Sequence, residues 1–413
     1  MWNDLGNPIP IQEGKFWLHN HFICGFKSNG ELIKLYKYQV LDDLNIRITP
    51  YKGFVPDNLK SYESWTETLK RLDCELTTME NKSLSIINES VTKYFKHKKY
   101  VFVSTGKDSI VALHLVKRRV QKVKIFFNNT TLDVSDTYKM VKKHKNWNII
   151  NPQYGFYQHI RKKNFIPTRF SRECCGLFKE KQAMNHFSNK DKICFFMGIR
   201  NDESFERTDR EDFDHNPIWR YRNWISCLPI REWSELHVWL YIFKYHLEIN
   251  SKYRKGYKRV GCGIACPYYT KYTWVLDKYW YRNLFDRWHK ILKEDFISNS
   301  RWTKLNCTLE EYVNGAWCGG LYRKEPNEEV IQEFMQYKGF TDRHLAMQYF
   351  NQTCCQCGKN IRQNEVIAMN LKLHGRNTDK LYCKKHLQIV DCINDIEWDN
   401  TVADFKRQGC ALF

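Results

Sequence analysis

Tyr100-Val101-Phe102-Val103-Ser104-Thr105-Gly106-Lys107-Asp108-Ser109, with the amphipathic run Ile110 to Val120 directly after it, is the stretch on which the fold turns. An apolar, β-branched run ends in a small polar loop and a helical pattern follows, which predicts strand, tight loop and helix N-terminus. A Ser-Thr-Gly loop there can lay consecutive backbone N–H groups around an anion, and the helix dipole adds to the attraction. Lys107 supplies a full positive charge, and Asp108 can orient the loop or meet a Mg2+ ion. The spacing is not that of a Walker loop, which needs G-x-x-x-x-G-K-[ST]. The competing reading is an ordinary strand-to-helix turn.

Outward from this loop the pattern alternates. Strands are expected at Tyr100–Val103, Val123–Phe127, Trp147–Ile150 and Ile193–Met197, and helices at Asp108–Val120, Val134–His144, Gly176–Phe187 and Ser234–Tyr245. Such alternation predicts a parallel sheet with helices on both faces, whose ligands sit beyond the C-terminal strand ends. The phosphate loop, the turn Asn128-Asn129-Thr130-Thr131 and the turn Gly198-Ile199-Arg200 all fall at that edge. Before the loop, short alternating runs such as Glu31 to Tyr38 suggest a small β-rich region, with a helix around Ser83 to Phe95. Beyond about residue 268 the chain is aromatic and basic, with helical periodicity in Tyr279 to Phe296. The aromatics between Trp274 and Trp288 read as a helix-packing core in preference to a base-stacking surface.

At 413 residues the chain should hold two or three domains. No apolar run reaches 18 residues, so no membrane span is expected, and the N-terminus has no secretory pattern, which points to the cytoplasm. Sixteen cysteines without an export signal read as metal or cluster ligands, not disulfides. The scattered ones (Cys24, Cys74, Cys194, Cys227, Cys307, Cys318, Cys392, Cys410) are mostly expected to be small buried apolar residues. A net charge of +20 attracts polyanions, with nucleic acid as the leading candidate partner. A merely solvated basic surface from an AT-rich genome is the alternative.

Three further constellations carry chemistry. Met197-Gly198-Ile199-Arg200-Asn201-Asp202-Glu203-Ser204, with Arg207, places arginine forks in a loop near the phosphate site. Glu203 could hold Arg200 or position a substrate hydroxyl. Cys174-Cys175 pairs at a distance with Cys262-x3-Cys266, and four thiolates can hold a [4Fe–4S] cluster or a tetrahedral zinc. Adjacent cysteines suit the separated iron corners of a cluster better than one zinc tetrahedron. Finally, Cys354-x2-Cys357 with Cys383-x2-His386 is a zinc pattern, with Cys355 as a competing ligand.

Six blocks in order, S-T-G-K-D-S, N-T-T-L-D-V-S-D-T-Y, S-R-E-C-C-G-L-F-K, G-I-R-N-D-E-S-x2-R, P-I-R-E-W-S-E-L-H-V-W and Y-R-K-G-Y-K-R-V-G-C-G-I-A-C-P, together resemble the phosphoadenosine phosphosulfate (PAPS) reductase family. That family belongs to the wider adenine-nucleotide α-hydrolase superfamily, the PP-loop ATP pyrophosphatases. The resemblance covers roughly Lys98 to Pro267. It implies a doubly wound sheet that binds an adenine nucleotide, with Ser104, Thr105, Gly106, Lys107, Asp108 and Ser109 cradling phosphates. It also implies Asp133, Thr137, Gly198, Arg200 and Arg207 around the nucleotide, and Arg169 or Arg172 with Lys179 near charged substrate groups. A [4Fe–4S] cluster on Cys174, Cys175, Cys262 and Cys266 is implied beside the substrate. The second pair is spaced C-x3-C where the family usually has C-x2-C, and the chain ends Arg407 to Phe413 without the reductases' E-C-G-L-H tail.

The expectation is therefore an α/β protein with a doubly wound, mostly parallel sheet of the adenine-nucleotide α-hydrolase-like kind. Its segments are an N-terminal accessory region (1–95), the nucleotide-binding domain (96–295), a helical connector (296–351) and a zinc-binding module (352–413). The expected function is ATP- and Mg2+-dependent adenylation with pyrophosphate release, Lys107, Asp108, Arg200 and Glu203 acting in catalysis. Sulfur transfer to DNA or RNA would follow through the cluster, with a sulfur-donor or electron-donor protein as partner. A sulfonucleotide reductase and a non-catalytic, nucleotide-gated nucleic-acid-binding protein are the alternatives.

Overall fold

A computed structural model of the chain describes residues 17–19, 22–27, 30–40, 46–53, 63–163, 166–167, 173–203, 210–214, 222–268, 270–298, 308–318, 353–359, 361, 364–374 and 381–407, with isolated positions at 332, 335–336 and 341. Two compact units result, 1–292 with 317–320 and 293–316 with 321–413.

The first strands, β1 (Trp17–His19), β2 (Phe22–Phe26), β3 (Leu32–Val40) and β4 (Ile46–Pro50), form an antiparallel sheet in chain order. Leu35, Tyr36 and Tyr38 of β3 are buried. The helix expected at Ser83–Phe95 instead begins at Trp65 and runs to Lys93. Its start is fixed by a reciprocal cap: the Glu67 N–H donates to Ser64 Oγ at 3.3 Å, and the Ser64 N–H donates to Glu67 Oε2 at 2.7 Å.

The central sheet contains β5 (Lys98–Phe102), β6 (Lys124–Asn128), β7 (Trp147–Ile150), β8 (Ile193–Phe196), β9 (Phe213–Asp214) and β10 (Trp224–Cys227), in the order β7-β6-β5-β8-β10-β9. All pairs are parallel except β10 with the edge strand β9. Side chains alternate between two cores, as a pleated strand requires. Val101, Ile125, Phe127, Cys194, Phe196 and Cys227 join the helices Trp65–Lys93, Lys107–Lys117 and Glu235–Lys244 on one face. Tyr100, Phe126, Phe195 and Trp224 pack with Ala183 and Phe187 on the other. The sheet is thus doubly wound. From β5 the chain crosses to β6 on one side, and from β8 to β10 on the other. The gap between the C-terminal ends of β5 and β8 is the switch point at which such sheets bind ligands.

Several local readings are corrected. The helix expected over Gly176–Phe187 opens with a π turn, Gly176–Glu180, and becomes α-helical at Lys181–His186. Strands β9 and β10 and the helix Phe156–Lys163 were not anticipated. The periodic run Tyr279 to Phe296 spans the end of one helix, Lys271–Trp280, and most of the next, Arg282–Ser298. Trp274 and Trp288 are core residues whose rings lie 5.9 and 5.3 Å from that of Trp317. Of the scattered cysteines, Cys24, Cys194, Cys227 and Cys318 are buried but Cys74 and Cys392 are exposed. Cys307 and Cys410 lie outside the described residues. No helix among the described residues is long and apolar enough to cross a membrane.

In the second unit, Ile361, Val366, Met369, Leu381, Leu387, Trp398 and Val402 form a small core among the helices Asn364–Leu373, Lys384–Val390 and Asp395–Arg407.

Candidate functional site

The loop after β5 closes on itself. The Ser104 N–H donates to Ser109 Oγ at 3.2 Å, whose hydroxyl donates to the Gly106 carbonyl at 2.8 Å. Thr105 is buried at a left-handed φ of 60°, a conformation that costs energy in a non-glycine residue and collects at functional sites. Asn250 holds it there: its Nδ2 donates to Thr105 Oγ1 at 2.9 Å and to Thr137 Oγ1 at 3.2 Å. The Lys107 N–H donates to Tyr253 Oη at 2.8 Å.

The turn after β8 meets this loop at the switch point. A Cβ on Gly198 would lie 2.4 Å from the Asp108 carbonyl oxygen, so only glycine permits the two backbones to approach this closely. Arg200 Nε donates to Asp108 Oδ1 at 2.6 Å, and its Nη1 pairs with Asp202 and donates to the Trp233 carbonyl at 3.2 Å. Lys107 Nζ lies 3.2 Å from Asp108 Oδ2 and 3.4 Å from Glu235 Oε1. Both side chains are at most 5 % exposed, and each is met by carboxylates in the same cleft. Burial works against the Arg200 charge, but Asp108, Asp202 and Glu203 outweigh it and raise its pKa. Glu203 accepts from the Arg200 backbone N–H at 3.3 Å, so it closes the turn while Asp108 and Asp202 hold the guanidinium. Asn250 lies outside the sequence motifs; Asp202, Glu235 and Tyr253 lie inside them but were not singled out as site residues. Arg169, Arg172, Ser204 and Arg207 lie outside the described residues.

The block after β6 forms the next wall. Thr130 Oγ1 donates to Asp133 Oδ2 at 2.6 Å, and desolvation pushes the Asp133 carboxyl up to about 6. Asp136 is a buried hub that pairs with Ser251, accepts from Lys255 Nζ at 2.9 Å and accepts from Tyr281 Oη at 2.7 Å. Burial alone would raise its pKa; these partners pull it down to about 2. The segment 250–256 is thereby tied to both the loop after β5 and the helix Ser135–Lys143.

The four thiols come next to this wall. Gly263, at φ +110°, presses against the Leu132 carbonyl, where a Cβ would sit 2.0 Å away. Cys262 is buried, and Cys174, Cys175 and Cys266 are half-buried. Cys174 interacts with Cys175 and Cys262, and Cys262 with Cys266. Lys179 faces Cys262, Cys175 and Cys266, and their negative charge raises its pKa. The donor set is four thiols with a cation beside them. Four thiolates are the ligand chemistry of a metal ion or of an iron–sulfur cluster.

In the other unit, one ligand atom each from Cys354, Cys357, Cys383 and His386 lie within 4.8 Å of one another, and the set could hold a metal ion. His386 Nδ1 is 3.3 Å from Cys354 Sγ and 3.4 Å from Cys383 Sγ. Burial opposes ionisation of Cys354, but the amides of Cys383, Cys357 and Gln356, with His386, bring its thiol down to about 6. The tight turn needs Gly358 at φ +65°, whose N–H donates to the Cys354 carbonyl at 2.8 Å. Cys355, expected as a competing ligand, is not one of these four; it packs against the small core, as Cys383 also does.

Residues 98–267 match the family model of the phosphoadenosine phosphosulfate reductase domain. The chain is 29% identical over 250 residues to an uncharacterized protein of Methanocaldococcus jannaschii, covering 59% of this chain and 50% of that protein. It is 22% identical over 227 residues to the adenosine 5'-phosphosulfate reductase of Bacillus cytotoxicus, covering 53% of this chain and 94% of that one. Among solved structures, the PAPS reductase of Candida auris in a phosphate complex aligns with a TM-score of 0.37 and 18% identity, over 48% of this chain and 94% of that one. The chain spans 50% and 63% of the length of two curated relatives from Methanocaldococcus jannaschii.

Proposed function

We propose that this chain, whose residues 98–267 match the phosphoadenosine phosphosulfate reductase domain, is a cytoplasmic PP-loop enzyme. It binds ATP with Mg2+, adenylates its substrate with release of pyrophosphate, and then transfers sulfur to a nucleic acid. Its segments are the accessory region 1–95, the catalytic domain 96–295, the connector 296–351 and the zinc module 352–413. The observation that carries this reading is the meeting of the Ser104–Ser109 loop with the Gly198–Arg200 turn at the switch point. Asn250 and Gly263 tie the cysteine segment to the same floor.

Ser104, Thr105, Gly106 and Ser109 shape the cradle, and Asp133, Gly198 and Arg200 surround the nucleotide. A substrate oxygen attacks the α-phosphorus, the α–β anhydride bond breaks, and pyrophosphate departs. Lys107 and the loop amides stabilise the charge that builds on it. Asp108 holds Lys107 and Arg200 at a fixed separation, and Glu203 keeps the Arg200 turn closed. Sulfur brought by a donor protein then displaces AMP from the activated position. Cys174, Cys175, Cys262 and Cys266 would hold a [4Fe–4S] cluster, which supplies a place to take up and hand on that sulfur. Cys354, Cys357, Cys383 and His386 would hold Zn2+ for folding and nucleic-acid contact.

Anaerobically purified protein should show the broad visible absorbance of an iron–sulfur cluster. It should release AMP and pyrophosphate from ATP and Mg2+, faster when nucleic acid is added. Lys107→Ala should lower this release by roughly 10²–10³-fold, the typical loss on removing one charge-stabilising donor, with the visible absorbance unchanged. Normal turnover in that variant would remove Lys107 from the mechanism. A second reading, reduction of a sulfonucleotide, is favoured by the likeness to the Bacillus cytotoxicus reductase over 94% of that enzyme. Sulfite release from adenosine 5'-phosphosulfate with thioredoxin, and none of pyrophosphate from ATP, would select it.

A further inference from the structure

A cavity of about 430 Å³ lies between the helix Glu235–Lys244, the segment 249–258 and the start of the helix Trp65–Lys93. It is within the usual size of a small-ligand site, roughly 300–1,000 Å³. Trp65, Trp239, Tyr253 and Tyr257 give it aromatic walls, and Lys258 and Glu235 give it one cation and one anion. The Trp239 and Tyr253 rings meet edge to face at 5.0 Å. Flat π faces with a few polar groups are what a planar heterocycle needs for stacking and edge hydrogen bonds.

Two of these walls also belong to the phosphate cradle. Tyr253 Oη takes the Lys107 N–H at 2.8 Å, and Glu235 Oε1 lies 3.4 Å from Lys107 Nζ. These are the two Lys107 donors that an incoming phosphate would use. Protein oxygens therefore stand where the anion would bind. Glu235 is 41 % exposed at its side chain, so it can turn away from Lys107 without unpacking the core.

We propose that this cavity receives a nucleobase of the nucleic-acid acceptor, and that its occupancy releases Lys107 to the nucleotide. The proposal rests on the adenylation reading above and names where the acceptor sits. A base that engages Tyr253 and Glu235 draws their oxygens from Lys107, so acceptor and nucleotide bind with positive cooperativity. Linkage makes the effect reciprocal: bound nucleotide, by displacing the same oxygens, favours the base. The +20 charge of the chain supplies the long-range attraction for the strand that carries it.

The test uses the full chain, with unfractionated tRNA and single-stranded DNA as separate probes. Trp65→Leu keeps apolar bulk and removes the π face; it should weaken binding of at least one probe about tenfold, as loss of one base–aromatic stack does. Trp65→Phe should retain binding. Without nucleic acid, Glu235→Gln should bind a non-hydrolysable ATP analogue several-fold more tightly than wild type, and added probe should tighten the wild type but not the variant. Equal probe affinity in Trp65→Leu and wild type overturns the pocket. Unchanged analogue affinity in Glu235→Gln overturns the coupling. A wild type that binds no ATP analogue refutes the adenylation reading, while the Trp65 comparison still decides the nucleobase site.

Discussion

Gly263→Ala should damage the cysteine segment from inside the backbone. The added Cβ would land 2.0 Å from the Leu132 carbonyl oxygen and 2.9 Å from its carbon, and both are main-chain atoms that no rotamer change can move aside. The residue also sits at φ +110°, which an L side chain adopts only under strain. A non-glycine residue at positive φ costs roughly 1–2 kcal/mol, and overpacking a tight contact costs about 1–3 kcal/mol more. The sum, roughly 2–5 kcal/mol, corresponds to a melting temperature lower by on the order of 5–15 °C for a unit of this size. Because the Cys266 N–H donates to the Gly263 carbonyl at 3.3 Å, the shift should also pull Cys262 and Cys266 apart from Cys174 and Cys175. Differential scanning calorimetry of wild type and variant, with bound iron measured on the same samples, reads both effects. Gly176→Ala is the control: its Cβ meets nothing within 4 Å, and in a helical position it should be neutral or stabilising by up to about 1 kcal/mol. A Gly263→Ala protein that melts within a degree of wild type would refute the claim that Leu132 and Gly263 are pressed together.

Three other outcomes can be checked. Gly198→Ala should weaken ATP-analogue binding in equilibrium dialysis, because its Cβ would push the Asp108 backbone from 2.4 Å; unchanged affinity would separate that turn from the cradle. Asp277 is fully buried, accepts from Tyr257 Oη at 2.6 Å, and is pushed up by burial from 3.8 to about 6. A carboxyl raised in the folded state stabilises the fold below its unfolded pKa, and that contribution, on the order of 3 kcal/mol, is lost as pH rises through about 6. Asp277→Asn keeps an acceptor for Tyr257 and should flatten that fall in urea titrations between about pH 4 and 7; an unaltered slope would count against it. A strong chelator, or His386→Ala, should release metal and loosen residues 353–407 in hydrogen exchange, and a wild-type protein purified without metal would contradict this.

The parallel sheet was legible because its strands are short, apolar and separated by helical periods, so β7 was placed to the residue and β5, β6 and β8 nearly so. The long first helix was cut short because its inner stripe includes Thr68, Glu80 and Ser83, which hydrophobic periodicity reads as surface. Glu80 is buried there by Tyr245, whose hydroxyl donates to it at 2.9 Å, and by its ion pair with Arg118. At the site, the residues of the two phosphate-side loops could be named in advance. Asn250 lies outside every motif, and Glu235 and Tyr253 lie inside motifs that gave them no role; each acts through a neighbour more than a hundred positions away, which nothing local marks. Glu203 was expected to hold Arg200 or to position a substrate hydroxyl; it accepts from the Arg200 backbone N–H, while Asp202, one residue before it, holds the guanidinium.

One carboxamide, that of Asn250, grips hydroxyls from two separate elements, Thr105 in the loop after β5 and Thr137 in the helix Ser135–Lys143 that follows β6. Neither element can therefore drift without dragging its neighbour. Sequence changes around 128–137 should accordingly be felt as altered nucleotide grip even where they never touch the nucleotide, and compensating changes should be sought at 250, not in the glycine loop.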